Sequence, residues 1–431
     1  MGRVLVIQMA KLGDFIQSTP FLAALRSTWP GRTVTLAGLD AAVLEAARLS
    51  PLVEETLAVG PGRPGPEGEF EAVFNLNSAP AAARLSAQVR TGRRYGPTAE
   101  GEALIFTPVQ EFLMGLMAED RRLGRFNLAD VWLALIPEAG PRPLFWPPPS
   151  PPPRGPGFRV GLHLGAKNHL RRWPVENFVR LARSLSGGEF ILTGSAGERA
   201  LGAKFEKLLG AGLEKPRPHV LNLMGATDLS ELSRVLAGLD LLVTADTGVL
   251  HLAAALGTPA LALFFGPAYG PETGPYGPGH LIYQAEAPCG PCREGSCRRR
   301  QCLARPDPDL AARLARRLLA PFDQPPEEQF PPGHRVWRTG TDAFGQRLEP
   351  LGRPPLTAEE ALALALTWAG QSLLRPGFQA RDLSEWAAAY APPSGRLVLA
   401  PDRFRRLGSR LSPATRKGLA RGLEIIGLEI A

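Results

Sequence analysis

Short runs of consecutive apolar residues alternate, over the first 320 positions, with longer stretches whose apolar residues recur at helical spacing. VLVIQ (4–8), TVTLAG (33–38) and AVFNLN (72–77) read as strands, with FLAALRSTW (21–29) and AAVLEAARL (41–49) as helices between them. Unbroken apolar runs suit strands covered on both faces, so the pattern predicts a parallel sheet with helices on each side. A second set of the same kind follows: FRVGLHL (158–164), VENFVRLARSL (175–185), EFILTG (189–194), ALGAKFEKLL (200–209), HVLNL (219–223), LSELSRVLAG (229–238), LDLLVTA (239–245), VLHLAAALG (249–257) and PALALFF (259–265). Pro174 suits the first turn of a helix, and Asp228 with Glu231 has capping-box spacing.

Punctuation divides the two sets. PRPLFWPPPSPPPRGPGF (141–158) holds nine prolines and reads as a stiff extended spacer. PFDQPPEEQFPPGHR (321–335) is a second break, and after it the composition turns to Ala, Leu and Arg with little strand signal. TAEEALALALTWAGQSLL (357–374) reads as a helix with an acidic first turn. The expected organisation is an α/β Rossmann-like domain over 1–145, a proline-rich linker over 146–157, a second Rossmann-like domain over 158–320 and a mainly helical extension over 321–431. Two doubly wound halves would gather the carboxyl ends of their strands at a central cleft, where open α/β sheets bind ligands.

Composition narrows the classes. The chain has 431 residues, and its 49 Lys and Arg against 41 Asp and Glu give a net charge of +8, which favours anionic partners. The opening GRVLVIQMA lacks the long apolar region and cleavage site of a signal peptide, and the most apolar stretch, 252–265, is broken at Gly257-Thr258-Pro259. The expectation is a cytoplasmic protein touching the inner face of the membrane only peripherally, with reduced cysteines.

Three clusters carry candidate chemistry. In TADTGVLH (244–251), Asp246 closes a strand and Thr247 and Gly248 open a helix, so free backbone N–H groups and the positive helix end face an anion, with His251 one turn further in. An N-cap Asp and a packed histidine are the alternative. In LHLGAKNHLRRWP (162–174), Lys167, Arg171 and Arg172 surround another helix start, as a diphosphate requires, or form a solvated basic loop; no Walker motif is present. In MAKLGDFIQSTP (9–20), Asp14 is either a helix cap or a carboxylate able to take a proton from an attacking hydroxyl.

Ordered motifs tie these clusters together. KLGDFIQSTPFLAALRSTWP, GAKNHLRRWPVENFVRLARSL, LTGSAGE, LNLMGATDLSEL and DTGVLHLAAALGTPALALFFG make the chain, from 1 to about 320, resemble glycosyltransferase family 9, the lipopolysaccharide heptosyltransferases and their relatives. The resemblance implies a GT-B fold, an acceptor-binding first domain and a nucleotide-sugar-binding second domain. It implies inverting, metal-independent transfer of heptose from ADP-heptose to a lipid-linked inner-core sugar. Under it, Asp14 holds the position of the base, and Arg171 stands where the family usually has lysine near the phosphates. Glu198 matches the acid near the ribose, Met224 lies in the segment lining the adenine pocket, and Asp246, Thr247, Gly248 and His251 match the donor-binding motif. Lys167 is placed by position alone. Another nucleotide sugar or acceptor on the same fold, or a non-catalytic nucleotide-sugar-binding protein, remains an alternative.

Cys289, Cys292, Cys297 and Cys302 span 14 residues in a C-x2-C-x4-C-x4-C spacing that fits no standard metal template. The reading is no metal, with these four as the only candidate ligands, and a regulatory metal module as a further option. No aromatic platform accompanies their arginines, so nucleic acid is not expected as a partner. Arg84, Arg90, Arg93, Arg94, Arg121 and Arg122 are candidates for attracting acceptor phosphates or anionic lipid.

Overall fold

The computed structural model describes residues 2–106, 121–136, 138–153, 157–185, 187–211, 218–292, 297, 299–320, 330–342, 345–352, 363 and 366–367, with the backbone of 398–399 and 429–430. It divides into two units: the first takes in the residues up to 142 together with Gly345 and the described residues after 353, and the second takes in 143–342 with 346–352.

The first unit is built on β1 (Arg3–Ile7), β2 (Thr33–Gly38), β3 (Glu55–Ala58), β4 (Ala72–Asn75) and β5 (Arg94–Tyr95), in the order β3-β2-β1-β4-β5. Every pairing is parallel. Val4, Leu5, Val6 and Ile7 of β1 are fully buried, as a central strand covered on both faces must be. Helices α1 (Leu12–Gln17), α2 (Thr19–Thr28), α3 (Ala41–Leu49), α4 (Pro80–Gln88) and α5 (Leu128–Leu133) make the connections. Asp40 caps α3 by accepting the Ala42 N–H at 2.9 Å, and Asn127 does the same for α5 through Ala129 N–H at 3.1 Å. Phe74 stacks on Tyr95 at 4.5 Å and meets Phe21 edge-on at 5.3 Å, locking β4 between β5 and α2.

The second unit carries β6 (Phe158–His163), β7 (Gly188–Thr193), β8 (His219–Asn222), β9 (Leu241–Ala245), β10 (Ala260–Phe264), β11 (Leu281–Ala285), β12 (His334–Asp342) and β13 (Gly345–Pro350). Their order is β8-β7-β6-β9-β10-β11-β12-β13. The first six are mutually parallel and wind in the Rossmann sense, reversing direction between β6 and β9. Helices α6 (Val175–Ser184), α7 (Arg199–Gly210), α8 (Leu229–Ala237), α9 (Gly248–Ala255), α10 (Gly270–Thr273) and α11 (Pro308–Leu319) flank them. The Asp228–Glu231 capping box closes the start of α8, with Glu231 N–H on Asp228 at 2.7 Å and Asp228 N–H on Glu231 at 2.9 Å. Pro174 is the N-cap of α6 rather than part of its first turn.

Two features depart from the sequence reading. Residues 334–342 and 345–350 form strands instead of opening a helical extension; β12 runs antiparallel to β11, pairing Tyr283 with Val336 and Ile282 with Trp337. HRVWRTGTD has too few apolar residues to announce a strand, and it forms one because β11 offers it a free edge. At the start of the proline-rich segment Leu144 and Trp146 are buried, and further along a Cβ at Gly238 would lie 2.7 Å from Pro152, although residues 150–153 are exposed. Of the helix expected over 357–374, only 363, 366 and 367 are described, all helical. The rest of it lies outside the described residues, as do 321–329. No helix among the described residues is long and apolar enough to cross a membrane.

Candidate functional site

The reversal between β6 and β9 is where an open α/β sheet leaves a crevice at its carboxyl edge, because the connections on its two sides leave in opposite directions. In the second unit His163 of β6 is paired in register with Thr244 of β9, so the segments following each strand emerge side by side. One is GAKNHLRRWP and the other ADTGVLH, the two clusters singled out in the sequence.

The first segment is held rigid from within. Asn168 caps a short 3-10 turn, His169–Arg171, by accepting the Leu170 N–H at 2.9 Å. Leu170 and Trp173 are buried, and Trp173 packs edge-on to Phe178 at 4.8 Å while its indole N–H donates to the Pro306 carbonyl at 3.1 Å. These anchors bracket Arg171 and Arg172 and fix where both guanidinium groups point. Arg171 donates through Nη1 to Asp246 Oδ2 at 2.7 Å. Arg172 Nε donates to the Ala166 carbonyl at 2.6 Å, and its Nη2 stands 3.7 Å from Glu198 Oε1. Lys167 is exposed on the same loop.

The second segment starts α9. Thr247 is its N-cap, so Asp246 is not the cap that the simpler sequence alternative supposed. The Thr247 hydroxyl is not a side-chain cap and instead meets the Thr244 hydroxyl at 3.1 Å. The helix start thereby presents backbone N–H groups that no side-chain cap covers. Asp246 is buried, and its Oδ2 also accepts the Thr273 hydroxyl at 3.2 Å. His251, on the first turn of α9, is 3% exposed, and burial, reinforced by nearby Arg171, drops its pKa to about 3. It is therefore a neutral imidazole at ordinary pH. Its Nδ1 and the Nε of Arg171 are both buried without a hydrogen-bond partner among the described residues. Two orphaned polar atoms in one cluster are costly unless something polar occupies the space between them.

Beside this lies a cluster floored by glycines. Glu198 Oε2 accepts from Ser195 N–H at 2.9 Å and from the Ser195 hydroxyl at 2.8 Å. Burial alone would raise its pKa, but those two hydrogen bonds, with His163 and Arg172 nearby, outweigh burial and hold it below the usual range. A Cβ at Gly165 would overlap the Glu198 carboxylate, and one at Gly194 would overlap the Met224 methyl. Glu198 and Met224 thus lie against the chain just past β6 and β7, where a side chain at either glycine would push them aside. His163 is buried with Nδ1 3.1 Å from the Thr193 hydroxyl, and burial lowers its pKa to about 4 against the opposing effect of Glu198.

In the first unit, Asp14 sits at the third position of α1, half-buried, and its Oδ2 accepts the Lys11 N–H at 3.1 Å. The capping alternative is therefore realised there. Of the proposed phosphate-attracting arginines, Arg94 contradicts that use: it donates to the carbonyls of Ser86, Ala87 and Val89, satisfying the C-terminal end of α4. Arg93 lies 5.4 Å over the Trp29 ring. Arg84 and Arg90 are exposed, and Arg121 and Arg122 share a 3-10 turn.

The four cysteines are free thiols, with Cys302 buried. Burial first, then the neighbouring Cys292, Cys289 and Cys297, raises the Cys302 pKa. The thiols thus lie near enough to affect one another, yet no three His, Cys, Asp or Glu among the described residues are grouped to hold a metal ion. Sequence reasoning missed Thr273, His163 and the glycine floor at Gly165 and Gly194. The G-A-K and T-G-S turns immediately after two apolar strands were the available signal for the glycines; Thr273 had none.

Residues 158–303 match the family model described as glycosyltransferase family 9 (heptosyltransferase). Lipooligosaccharide heptosyltransferase 2 of Haemophilus influenzae is 34% identical over 124 residues, 28% of this chain and 33% of that protein. Lipopolysaccharide heptosyltransferase 1 of Pseudomonas aeruginosa is 32% identical over 187 residues, 39% of this chain and 50% of its own length. The chain thus spans between a third and a half of these curated relatives. Among solved structures, the family 9 glycosyl transferase of Veillonella parvula aligns with a TM-score of 0.54 at 17% identity, covering 74% of this chain and 97% of its own. The ADP-heptose lps heptosyltransferase II of E. coli aligns at 0.53 and 21% identity, covering 74% and 98%. At such identities the likeness establishes the fold, GT-B, over the part of the chain it covers. Over residues 158–303 the second unit is similar to glycosyltransferase family 9 (heptosyltransferase), and the two heptosyltransferases resemble the chain over part of their length.

Proposed function

We propose that the protein is an inverting glycosyltransferase that moves heptose from ADP-heptose to a hydroxyl of a lipid-linked lipopolysaccharide inner-core sugar, without a metal ion. The observation that carries this reading is the cluster at the start of α9. Arg171 and Asp246 are joined at 2.7 Å, and neutral His251 presents a buried, unpartnered Nδ1 beside helix N–H groups that no side chain caps. Those donors suit the oxygens of a diphosphate. Glu198, held ionised, suits the hydroxyls of a ribose, and Met224 supplies an apolar face for a purine.

In the reaction the acceptor oxygen attacks the anomeric carbon while Asp14 takes its proton, and the bond from that carbon to the β-phosphate oxygen breaks with departure of ADP. Negative charge grows on the leaving diphosphate. It is met by the Thr247 and Gly248 N–H groups, by Lys167, and by the Arg171 N–H groups not engaged with Asp246. His251 adds a hydrogen bond without adding charge. Asp246, oriented by Arg171 and Thr273, accepts from sugar hydroxyls. The anionic acceptor reaches the protein at the inner face of the membrane, where exposed Arg84 and Arg90 attract it.

The test incubates the protein with ADP-heptose, other nucleotide sugars and a lipid-core acceptor, and follows transfer by mass spectrometry. Wild-type protein is expected to transfer heptose from ADP-heptose. Asp14→Asn is expected to lower kcat by about 10²- to 10⁴-fold, with ADP affinity unchanged within about twofold. Transfer from a different donor alone would remove the donor assignment. Binding without transfer from any donor would leave a nucleotide-sugar-binding protein, and an Asp14→Asn variant as fast as wild type would remove the base.

A further inference from the structure

The first unit has its own reversal point, between β1 and β4, and there the chain spends buried amide side chains in a way that neither the sheet nor the core requires. Gln8 follows β1 and is fully buried, as is Asn75 at the end of β4, paired in register with Ile7. Asn77, half-buried, bridges them. Its Oδ1 accepts the Met9 N–H at 2.5 Å, and its Nδ2 donates to Gln8 Oε1 at 2.8 Å. Its own N–H donates to Asn75 Oδ1 at 3.0 Å, and Asn75 Nδ2 in turn donates to the Pro97 carbonyl at 2.7 Å. Gln8 passes the restraint forward, donating through Nε2 to the Asp14 carbonyl and accepting the Ala10 N–H, both at 3.4 Å.

The result is a relay of neutral amides from Pro97 through Asn75, Asn77 and Gln8 to the backbone of Asp14. It holds the turn 9–11 from two directions, at Met9 and at Ala10. A carboxylate acting on a hydroxyl needs its oxygen placed within about 0.5 Å of the productive position, and it sits at the start of a helix of six residues with little rigidity of its own. Neutral amides supply that restraint without adding a charge that would perturb the acid beside them.

We infer that Asn77 is a positioning residue for Asp14: through Gln8 and the Met9 amide it fixes the turn from which the carboxylate projects. This inference rests on the proposed transfer reaction and deepens it. The hydrogen bonds of Asn77 run to Met9, Gln8 and Asn75 within the first unit, so its removal is expected to act on placement.

The test measures kcat, donor KM and backbone amide exchange for wild type, Asn77→Ala, Asn77→Asp, Asp14→Asn and the Asp14→Asn/Asn77→Ala double variant. Asn77→Ala is expected to lower kcat by about ten- to a hundredfold with donor KM within about twofold, and to speed exchange over residues 9–14 while leaving 33–38 unchanged. Asn77→Asp keeps the acceptor for Met9 N–H but cannot donate to Gln8, so it should recover part of the loss. The double variant should be no slower than Asp14→Asn alone, since a residue acting through another has nothing left to do once that one is gone. Multiplicative losses in the double variant, an unchanged kcat in Asn77→Ala, or unchanged exchange over 9–14 would each overturn the inference while leaving the transfer reaction intact. Wild-type protein that transfers no sugar overturns both.

Discussion

Arg171 and Asp246 stand 75 residues apart in the chain and meet at 2.7 Å, a half-exposed guanidinium against a carboxylate only 4% exposed. The pair joins the segments that leave β6 and β9, so it fixes the two walls of the crevice relative to each other as well as carrying charge. Arg171→Ala takes the guanidinium away from a buried carboxylate that the Thr273 hydroxyl also contacts. ADP affinity should fall about tenfold to a hundredfold, the lower figure being favoured because the guanidinium is partly screened by solvent. Arg171→Lys keeps the charge but not the planar fork, and should fall between. Isothermal titration with ADP measures all three proteins; equal affinities would show that the pair does not serve nucleotide binding.

Three histidines are buried neutral: burial takes His163 and His280 to about 4, and His251 to about 3. Unfolded, each titrates near the ordinary value of about 6.5, so between these limits the unfolded chain binds more protons than the folded one. The contribution is whole above about pH 6.5 and is lost as pH falls toward the folded values, at a slope of about 1.4 kcal/mol per pH unit for each histidine. His280 lies just before β11 and outside the two segments that form the nucleotide cluster. Urea unfolding at pH 7 and pH 5 should show a shallower acid loss in His280→Leu than in wild type by about that slope, and identical losses would contradict the assignment.

Gly165 and Gly197 make a matched pair for testing the glycine floor. A Cβ at Gly165 would overlap the Glu198 carboxylate, whereas one at Gly197 meets nothing within 4 Å. Gly165→Ala should weaken ADP binding by displacing the Glu198 carboxylate, the flexible end of its side chain, with little loss of stability. Gly197→Ala should leave both unchanged. Thermal unfolding with and without ADP distinguishes the two effects.

The cysteine loop allows a test of metal independence. Transfer is expected to persist in EDTA and in a Cys289→Ser/Cys292→Ser/Cys297→Ser variant, which spares buried Cys302. Loss of activity on chelation, restored by one divalent ion, would overturn the metal-free mechanism.

Local structure was legible where local chemistry decides it. TVTLAG and AAVLEAARL occupy β2 and α3 over the expected residues, because an unbroken apolar run and a helical repeat each permit only one way to bury their surface. The candidate chemistry was legible as strand-to-helix turns bearing an acid, a hydroxyl, a glycine or a cation. What was not legible follows from pairing at a distance. HRVWRTGTD became a strand because of an open sheet edge at β11, and Arg94 was diverted to the end of a helix that folds back beside it. Asn75 and Asn77 looked like the polar tail of a strand, and nothing nearby in sequence announced Gln8 as their partner.

Sequence alone therefore determined the elements, the two Rossmann-like sets and the residue types able to meet a diphosphate and take a proton. Periodicity and turn chemistry are properties of a few consecutive residues. Tertiary structure alone decided which of those residues meet: that Asp246 faces Arg171 and Thr273 instead of capping its helix, that Glu198 lies on Gly165, and that Asn77 reaches the turn before Asp14. Those contacts depend on strand order. The reversal of winding sets β6 beside β9 and β1 beside β4, and strand order is settled by burial summed over the whole sheet, which no single stretch of sequence contains.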